Sequence, residues 1–331
     1  MSVSTDGGED VASATQPGAN SRLVTRLRAY MSERFPLLGH GVLIFSFYSS
    51  NQFLAHALGR PGEAMQYDFS SLCGYLTILC FFLHLRIFDD HKDYAADCRH
   101  FPQRVLQRGV VTLGELKVLG GIAIVLEFAF AAICGPAALI AVLAAFCFSL
   151  LMLKEFFVAD WLKRRFLVYA SVHMLIMPLL AMIVYSFATG EFLWDAPQWF
   201  WLYSFVGFFV AFNWEVSRKI RAPEEEIDGV DSYTRLFGTY GAAYLVLVIR
   251  VIDTGLVTLV GLHLGLSAWF YVLLVLLFMV CMVGFFQFRF QTSPTTAHRM
   301  EIYAGIYIFA FDLALAIELG RTYGIQFSGA L

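Results

Sequence analysis

The sequence contains few charged residues for its length. Asp, Glu, Lys and Arg make up 15% of the 331 residues, whereas about a quarter of a typical soluble domain is charged. Hydrophobic residues make up 59%. These proportions exclude an ordinary soluble domain and predict an integral membrane protein in contact with a lipid bilayer. The formal net charge of −3 carries little information, because the location of the charges matters more than their sum. No nucleic-acid partner is expected.

The sequence also lacks the cysteine pattern of a disulfide-stabilised protein. Five of the six cysteines lie within apolar runs, where cysteine behaves as a small hydrophobic residue: Cys73, Cys80, Cys134, Cys147 and Cys281. The sixth, Cys98, lies beside a group of aspartates. Hard cations that bind carboxylates avoid thiolate ligands, so Cys98 is not expected to take part in a metal site built from those aspartates.

The first 20 residues have no hydrophobic periodicity. Their composition, rich in Ser, Thr, Gly, Ala, Asp and Glu, predicts a disordered tail over residues 1–20. A basic segment followed by an apolar core is missing, so the tail is not typical of a signal peptide. Residues 21–35 contain four arginines, which predict a basic amphipathic helix on the membrane surface. These are Arg22, Arg26, Arg28 and Arg34.

Nine apolar segments follow, each close to the roughly 20 residues that a membrane-spanning helix needs. They lie near residues 37–58, 67–88, 117–135, 137–154, 166–188, 197–216, 239–262, 266–288 and 300–320. We therefore predict that residues 21–331 form one polytopic all-α membrane domain with about nine transmembrane helices.

The distribution of Lys and Arg predicts the orientation of these segments. With the N-terminus inside, 20 of the 23 basic residues fall in cytoplasmic segments and two fall outside, and Arg250 lies within a span. By the positive-inside rule, the N-terminus and the polar loops 89–116 and 217–238 are cytoplasmic, and the C-terminus is outside. We expect a bacterial-type inner membrane or its equivalent. The two loops occupy similar places in two pseudo-repeat halves, and such loops can converge on one site.

The first loop begins with four aspartates in nine residues: Asp89, Asp90, Asp93 and Asp97. If the segment is one helix, Asp90, Asp93 and Asp97 fall at i, i+3 and i+7 and share one face. Neighbouring carboxylates repel one another unless a cation lies between them. Oxygen ligands of this kind suit Mg²⁺, which often binds a few carboxylates together with substrate phosphate oxygens. The alternative interpretation is a solvated acidic helix end.

The second loop combines acidic and basic residues. Glu215 and Lys219 are four residues apart, and Arg218 is next to Lys219. Helix is expected to about Arg221, because Pro223 disfavours helix at the residue before it. Adjacent cations suit a diphosphate, since Lys offers a point charge and Arg a fork of donors. The alternative interpretation is that these cations only enforce the topology.

The spacing Asp89-Asp90-x-x-Asp93-x-x-x-Asp97 resembles the first aspartate-rich motif of the UbiA superfamily of intramembrane prenyltransferases. That motif is N-D-x-x-D-x-x-x-D, so Asp89 replaces Asn. Residues 101–109 resemble its Arg- and Gly-containing continuation. The second loop resembles the D-x-x-x-D motif, with Glu and Lys replacing the two aspartates, and residues 229–234 resemble its Gly-x-x-x-x-Thr continuation.

The resemblance implies helices around a central cavity, Mg²⁺ as the cofactor and an allylic prenyl diphosphate as the donor. The implied metal ligands are Asp89, Asp90, Asp93, Asp97, Glu224 and Glu225. The implied diphosphate ligands are Arg104, Arg108, Arg218, Lys219 and Arg221. The implied catalytic residues are Glu215, Arg218 and Lys219. Because Lys219 stands where an aspartate is usual, the second loop is expected to hold diphosphate more than metal.

The leading hypothesis is a transferase that moves an isoprenoid chain onto a lipophilic or aromatic acceptor. A terpene cyclase of the same superfamily is the nearest alternative. An ion-coupled transporter is an alternative of another class, because charged residues within spans are costly and are often functional. These are Glu127, Arg250, Asp253, Asp312 and Glu318. Arg250 and Asp253 are expected to pair, and His56, His84 and His173 are expected to be hydrogen-bonded core residues.

Overall fold

The computed structural model of the chain describes residues 21–327, so the tail predicted for residues 1–20 lies outside the described residues. The regular secondary structure of the described chain is helical, as predicted, apart from two short strands. Its helices are α1 (Leu23–Arg34), α2 (Leu37–Gly59), α3 (Phe69–Lys92), α4 (Tyr94–His100), α5 (Leu113–Cys134), α6 (Pro136–Leu153), α7 (Ala159–Lys163), α8 (Phe166–Met174), α9 (Ile176–Thr189), α10 (Gln198–Ser217), α11 (Tyr233–Leu264), α12 (Ala268–Phe290) and α13 (Pro294–Tyr323). Strands β1 (Met65–Tyr67) and β2 (Ile325–Phe327) form a parallel pair.

Polar side chains fix the starts of several long helices. Asp68 accepts a hydrogen bond from the Ser71 backbone N–H at 2.8 Å at the start of α3. Thr112 and Glu115 satisfy each other's backbone N–H groups at the start of α5. These reciprocal caps replace partners that the first turn of a helix lacks. They set the ends of helices that carry or adjoin the first polar loop.

Within residues 21–327, seven helical segments are long and apolar enough to cross a membrane. They are α3, α5, α6, α8 with α9, α11, α12 and α13. Helices α2 and α10 coincide with the other two predicted segments. The second half of α2 carries buried Ser, Asn and Gln residues, including Ser50, Asn51 and Gln52. The count of nine spans and the two pseudo-repeat halves remain predictions.

The segment predicted as a single helix over residues 166–188 is interrupted at Leu175, where α8 ends and α9 begins. Pro178 has no N–H to donate to the Met174 carbonyl, and a proline ring disfavours continuous helix at that point. Helix α11 also has a break, at Gly238, where φ is +70°. Glycine adopts that backbone conformation without the steric cost of a side chain.

The predicted pairing of charges within the membrane region is confirmed for Arg250 and Asp253. Arg250 donates to Asp253 at 2.8 Å and to Asn213 at 2.6 Å, and its guanidinium lies 3.6 Å from the centre of the Tyr307 ring. The other three acids also have hydrogen-bond donors: His84 for Glu127, Ser50 for Asp312, and Trp269 for Glu318. Partners of this kind offset the cost of burying charge.

The orientation of the loops can be tested with single cysteines. Cys98 in the first polar loop is exposed. Asp228→Cys in a Cys98→Ser background reports on the second loop, and Glu191→Cys, in the exposed turn after α9, reports on the opposite side. We expect an impermeant maleimide to label only Glu191→Cys in right-side-out vesicles, because Lys and Arg are concentrated on the cytoplasmic side. Labelling of Cys98 or Asp228→Cys from outside would contradict this topology.

Candidate active site

Both polar loops line one cavity of about 290 Å³. Among residues 21–327, its lining contains six basic and six acidic side chains. The basic ones are Arg34, Arg86, Arg104, Arg218, Lys219 and Arg221. The acidic ones are Asp89, Asp93, Asp97, Glu225, Glu226 and Asp231. Such a lining suits a small, highly charged ligand whose phosphate oxygens can accept from several cations.

The first motif is not one uninterrupted helix. α3 ends at Lys92, and Asp93 (φ −93°, ψ 1°) joins it to α4. The backbone still bonds at four-residue intervals, from Asp93 N to Asp89 O at 2.8 Å and from Asp97 N to Asp93 O at 2.9 Å. Asp89, Asp93 and Asp97 therefore share the side that lines the cavity, whereas Asp90 lies outside that lining.

Asp90 faces α1 instead of the cavity. Its side chain is 1% exposed and accepts from Tyr30 at 2.7 Å, Arg34 at 2.6 Å and Arg86 at 2.8 Å. A carboxylate with two guanidinium groups and a hydroxyl around it has little capacity left for a metal ion. The geometry therefore assigns Asp90 a different task from the one expected from the motif. It holds Arg34 and Arg86 at the edge of the cavity.

The other three aspartates differ in their partners. Asp97 pairs with Arg104 at 2.7 Å, and Asp89 lies 3.4 Å from Lys92. Asp93 has no side-chain hydrogen bond or ion pair to any residue in the described range 21–327. It is open towards the cavity and enclosed by protein elsewhere, and this partial desolvation, with the nearby charges of Asp89 and Asp97, raises the pKa of the Asp93 carboxyl. Asp93 is thus the carboxylate most available to a cation.

These residues fit a magnesium ion that binds together with a diphosphate. In the described part of the chain, no three acidic, His or Cys side chains are arranged to hold an ion by themselves. Mg²⁺ is usually bound by one or two carboxylates plus water and substrate phosphates, and seldom by an all-protein cage. Asp93, with Asp89 or Asp97, supplies that smaller number of hard oxygen ligands, and the cations around the same cavity suit the phosphates.

The second motif is built around a buried acid. Glu215, 6% exposed, accepts from Arg218 Nε and Lys219 Nζ at 2.6 Å each. Both cations line the cavity, whereas Glu215 lies behind them. α10 ends at Ser217, four residues earlier than expected, because the next N–H groups bond to carbonyls three residues back. Ile220 N, for example, donates to Ser217 O at 3.3 Å.

The acidic triplet after Pro223 divides between cavity and solvent. Glu225 lines the cavity, whereas Glu224 is exposed and outside the lining. Glu226 also lines it and accepts from Ser232 at 2.6 Å and from Thr234 at 2.7 Å. Sequence reasoning overlooked Glu226, whose two hydroxyl partners lie six and eight residues further along the chain.

Sequence reasoning also overlooked two cavity arginines. Arg34 was assigned only to a basic surface helix and to the topology count, and Arg86 only to that count, yet both line the cavity. Their proximity depends on the docking of α1 against α3, which no local pattern reveals. Of the other predicted diphosphate ligands, Arg104 and Arg221 line the cavity, and Arg108 lies outside its lining.

Three solved structures align with most of the chain. A UbiA homolog from Aeropyrum pernix K1 aligns with a TM-score of 0.63 and 17% identity, over 86% of this chain and 96% of that chain. A digeranylgeranylglyceryl phosphate synthase aligns with a TM-score of 0.59 and 16% identity, over 89% of this chain and 99% of that chain. A UbiA homolog from Archaeoglobus fulgidus bound to GPP and Mg²⁺ aligns with a TM-score of 0.49 and 13% identity, over 84% of this chain and 98% of that chain. At these identities, the first two show a shared fold.

No curated protein matches the chain in sequence. The family model of the UbiA prenyltransferase family matches residues 43–308, which include both polar loops and most of the helices. This chain therefore belongs to the UbiA prenyltransferase family.

Proposed function

We propose that this protein is a Mg²⁺-dependent intramembrane transferase that moves an isoprenoid chain from an allylic prenyl diphosphate to an aromatic acceptor. The observation that carries the proposal is the cavity in which the three aspartates Asp89, Asp93 and Asp97 lie with cations of both loops. Long apolar helices adjoin this charged site. A prenyl diphosphate has the matching shape, with a charged head and a long apolar chain.

The cations of both loops would bind the diphosphate and stabilise it as it leaves. Arg218 and Lys219 approach from the second loop, and Arg104 approaches from the first. Negative charge develops on the diphosphate as the allylic C–O bond breaks, and donors that are already in place stabilise this charge most effectively. Glu215 holds two of these cations by ion pairs, so we assign it a positioning role.

Asp93, with Asp89 and Asp97, would hold Mg²⁺, which when bound neutralises part of the charge on the leaving diphosphate. The protein must also shield the allylic fragment from water until the acceptor attacks. Aromatic rings lie directly beside the two loops: Lys92 donates to Tyr169 at 2.9 Å, and Lys219 lies 4.9 Å from the centre of the Phe166 ring. Their faces can stabilise a neighbouring cation.

Product analysis tests the proposal directly. Purified protein is incubated with Mg²⁺ and geranyl, farnesyl or geranylgeranyl diphosphate, with and without a panel of phenols, quinols and aromatic acids. We expect diphosphate release and a prenylated aromatic product that requires the acceptor. A cyclic terpene formed without any acceptor would favour the cyclase alternative, and no consumption of any donor would contradict both.

Removing the unpaired carboxylate should impair the metal response. We expect Asp93→Asn to lower turnover by at least about 100-fold, because a few kcal/mol of charge stabilisation is lost, and to raise the Mg²⁺ concentration at half-maximal rate. Asp90→Asn is the matched control. It loses its buried ion pairs and should reduce thermal stability, but it should leave the Mg²⁺ midpoint near the wild-type value. Wild-type turnover of Asp93→Asn at low Mg²⁺ would refute the metal role.

The second loop should act mainly on the donor. We expect Lys219→Ala and Arg218→Ala to weaken donor capture and leaving-group stabilisation, since a lost charge-assisted contact costs about 1.5–3 kcal/mol, or roughly ten- to a hundredfold. Their Mg²⁺ midpoints should stay nearly unchanged. Titrations of donor and of Mg²⁺ on each variant separate the two effects. If Lys219→Ala shifts the Mg²⁺ midpoint as far as Asp93→Asn does, the second loop is an equal metal site.

A further inference from the structure

Helix α8 contacts one residue of each polar loop, Lys92 and Lys219. Its first residue, Phe166, lies under Lys219, with 4.9 Å between the ammonium and the ring centre. Tyr169 accepts from Lys92, which lies 3.4 Å from the cavity residue Asp89. His173 follows one turn after Tyr169, about 6 Å further along the helix axis. The helix therefore leads from the charged cavity into the apolar part of the protein, and His173 is near its inner end.

The His173 ring is enclosed by aromatic side chains. It stacks on Tyr169 with 4.2 Å between ring centres, and Phe156 meets it edge-on at 5.7 Å. The residue is 6% exposed. Its Nδ1 lies 2.8 Å from the Tyr169 carbonyl oxygen. Because a carbonyl oxygen can only accept, Nδ1 carries the hydrogen, and Nε2 of the neutral ring keeps its lone pair.

That lone pair has no hydrogen-bond partner anywhere in residues 21–327. The expectation that His173 is a fully hydrogen-bonded core residue is therefore wrong for this nitrogen. A buried polar atom without a partner costs about 1–3 kcal/mol, so its presence calls for an explanation. His84, by contrast, is a fully hydrogen-bonded core histidine: its two ring nitrogens have Glu127 and Ser149 as partners.

We infer that His173 Nε2 is the general base that removes the proton released by the acceptor. The inference rests on the proposed prenyl transfer. In that reaction the allylic C–O bond breaks and its electron pair leaves with the diphosphate. A π-electron pair of the acceptor ring then forms the new C–C bond. The ring C–H gives its proton to Nε2, its electron pair restores aromaticity, and the imidazolium returns the proton to water as the product leaves.

The position of His173 suits this step. The reacting carbon is bonded to the diphosphate, so it must lie at the membrane side of the cavity, where α8 passes. A neutral imidazole does not repel the allylic cation, and the rings of Tyr169 and Phe156 that pack against the imidazole exclude water. Lys92 places its positive charge next to Asp89, on the diphosphate side.

Ionisation and deprotonation can be measured separately. Geranyl diphosphate with ¹⁸O at the bridging oxygen scrambles its label when the C–O bond breaks and re-forms, and this exchange counts ionisation events. Transfer is measured with the most active acceptor of the panel, in protonated and ring-deuterated forms. In His173→Phe, which keeps an aromatic ring but lacks the base, we expect exchange within about threefold of wild type. Transfer should fall about 10²- to 10⁴-fold, the usual share of general-base catalysis.

The deuterated acceptor gives a readout that a structural role would leave unchanged. Without the base, proton removal becomes rate-limiting, so the primary isotope effect should rise above the wild-type value. His173→Gln, which can still donate to the Tyr169 carbonyl, should behave like His173→Phe. If the Phe variant does not fold, the Gln variant tests the general-base role in its place. His56→Phe is the control. His56 also has a buried unpartnered nitrogen, but it lies about 28 Å along α2 from the end near Arg34.

Two results would overturn the inference. One is wild-type transfer by a folded His173 variant. The other is an equal loss of exchange and transfer, which would make His173 part of ionisation or of the framework. If the wild-type protein itself shows neither exchange nor transfer with any donor, the proposed function fails, and that outcome is distinct from a failure confined to the His173 variants.

Discussion

The buried charge of Asp90 is the constraint on which the geometry of the site depends. An ionised carboxylate at 1% exposure is costly unless charged or polar donors surround it. Tyr30 and Arg34 reach it from α1, and Arg86 reaches it from one turn earlier on α3. These contacts fasten α1 to the end of α3 and fix two guanidinium groups at the cavity. On the same stretch of chain, Asp93 lines the cavity.

The second loop also contains a buried acid that holds basic residues in place. Glu215 is buried at the end of α10 and holds Arg218 and Lys219 by ion pairs, so two flexible cations are presented in fixed positions. In both loops a buried carboxylate orients basic residues, and other carboxylates line the cavity. Helix α8 then connects this charged region to an aromatic environment around His173. In the proposed reaction, the diphosphate would leave in the cavity and the allylic cation would react beside this aromatic environment.

The sequence was a good guide wherever one element alone determines the outcome. Apolar runs located the helices, although α13 begins at Pro294 and not near residue 300, because polar residues can continue a helix beyond the membrane. The acidic and basic loops were predicted to form one site, and residues of both loops, with three of the four motif aspartates, line one cavity. These features follow from local composition and spacing.

Features that depend on two distant segments could not be predicted. Periodicity places Asp90 on a helix face, but only the docking of α1 decides that this face meets Tyr30 and Arg34. The same docking extends to Glu33, which accepts from the Val105 backbone N–H at 3.1 Å. The aromatic surroundings of His173 include Phe156, which lies in a turn of residues with positive φ before α7. No spacing rule reveals such a contact.

The central claim is that the two loops bind one diphosphate together, and hydrogen exchange of the purified protein tests it most directly. Amide exchange is followed while geranyl diphosphate is titrated at a fixed Mg²⁺ concentration. The account predicts that residues 89–104 and 218–234 become protected together, with a single shared midpoint. Protection of only one loop, or two clearly separate midpoints, would contradict it.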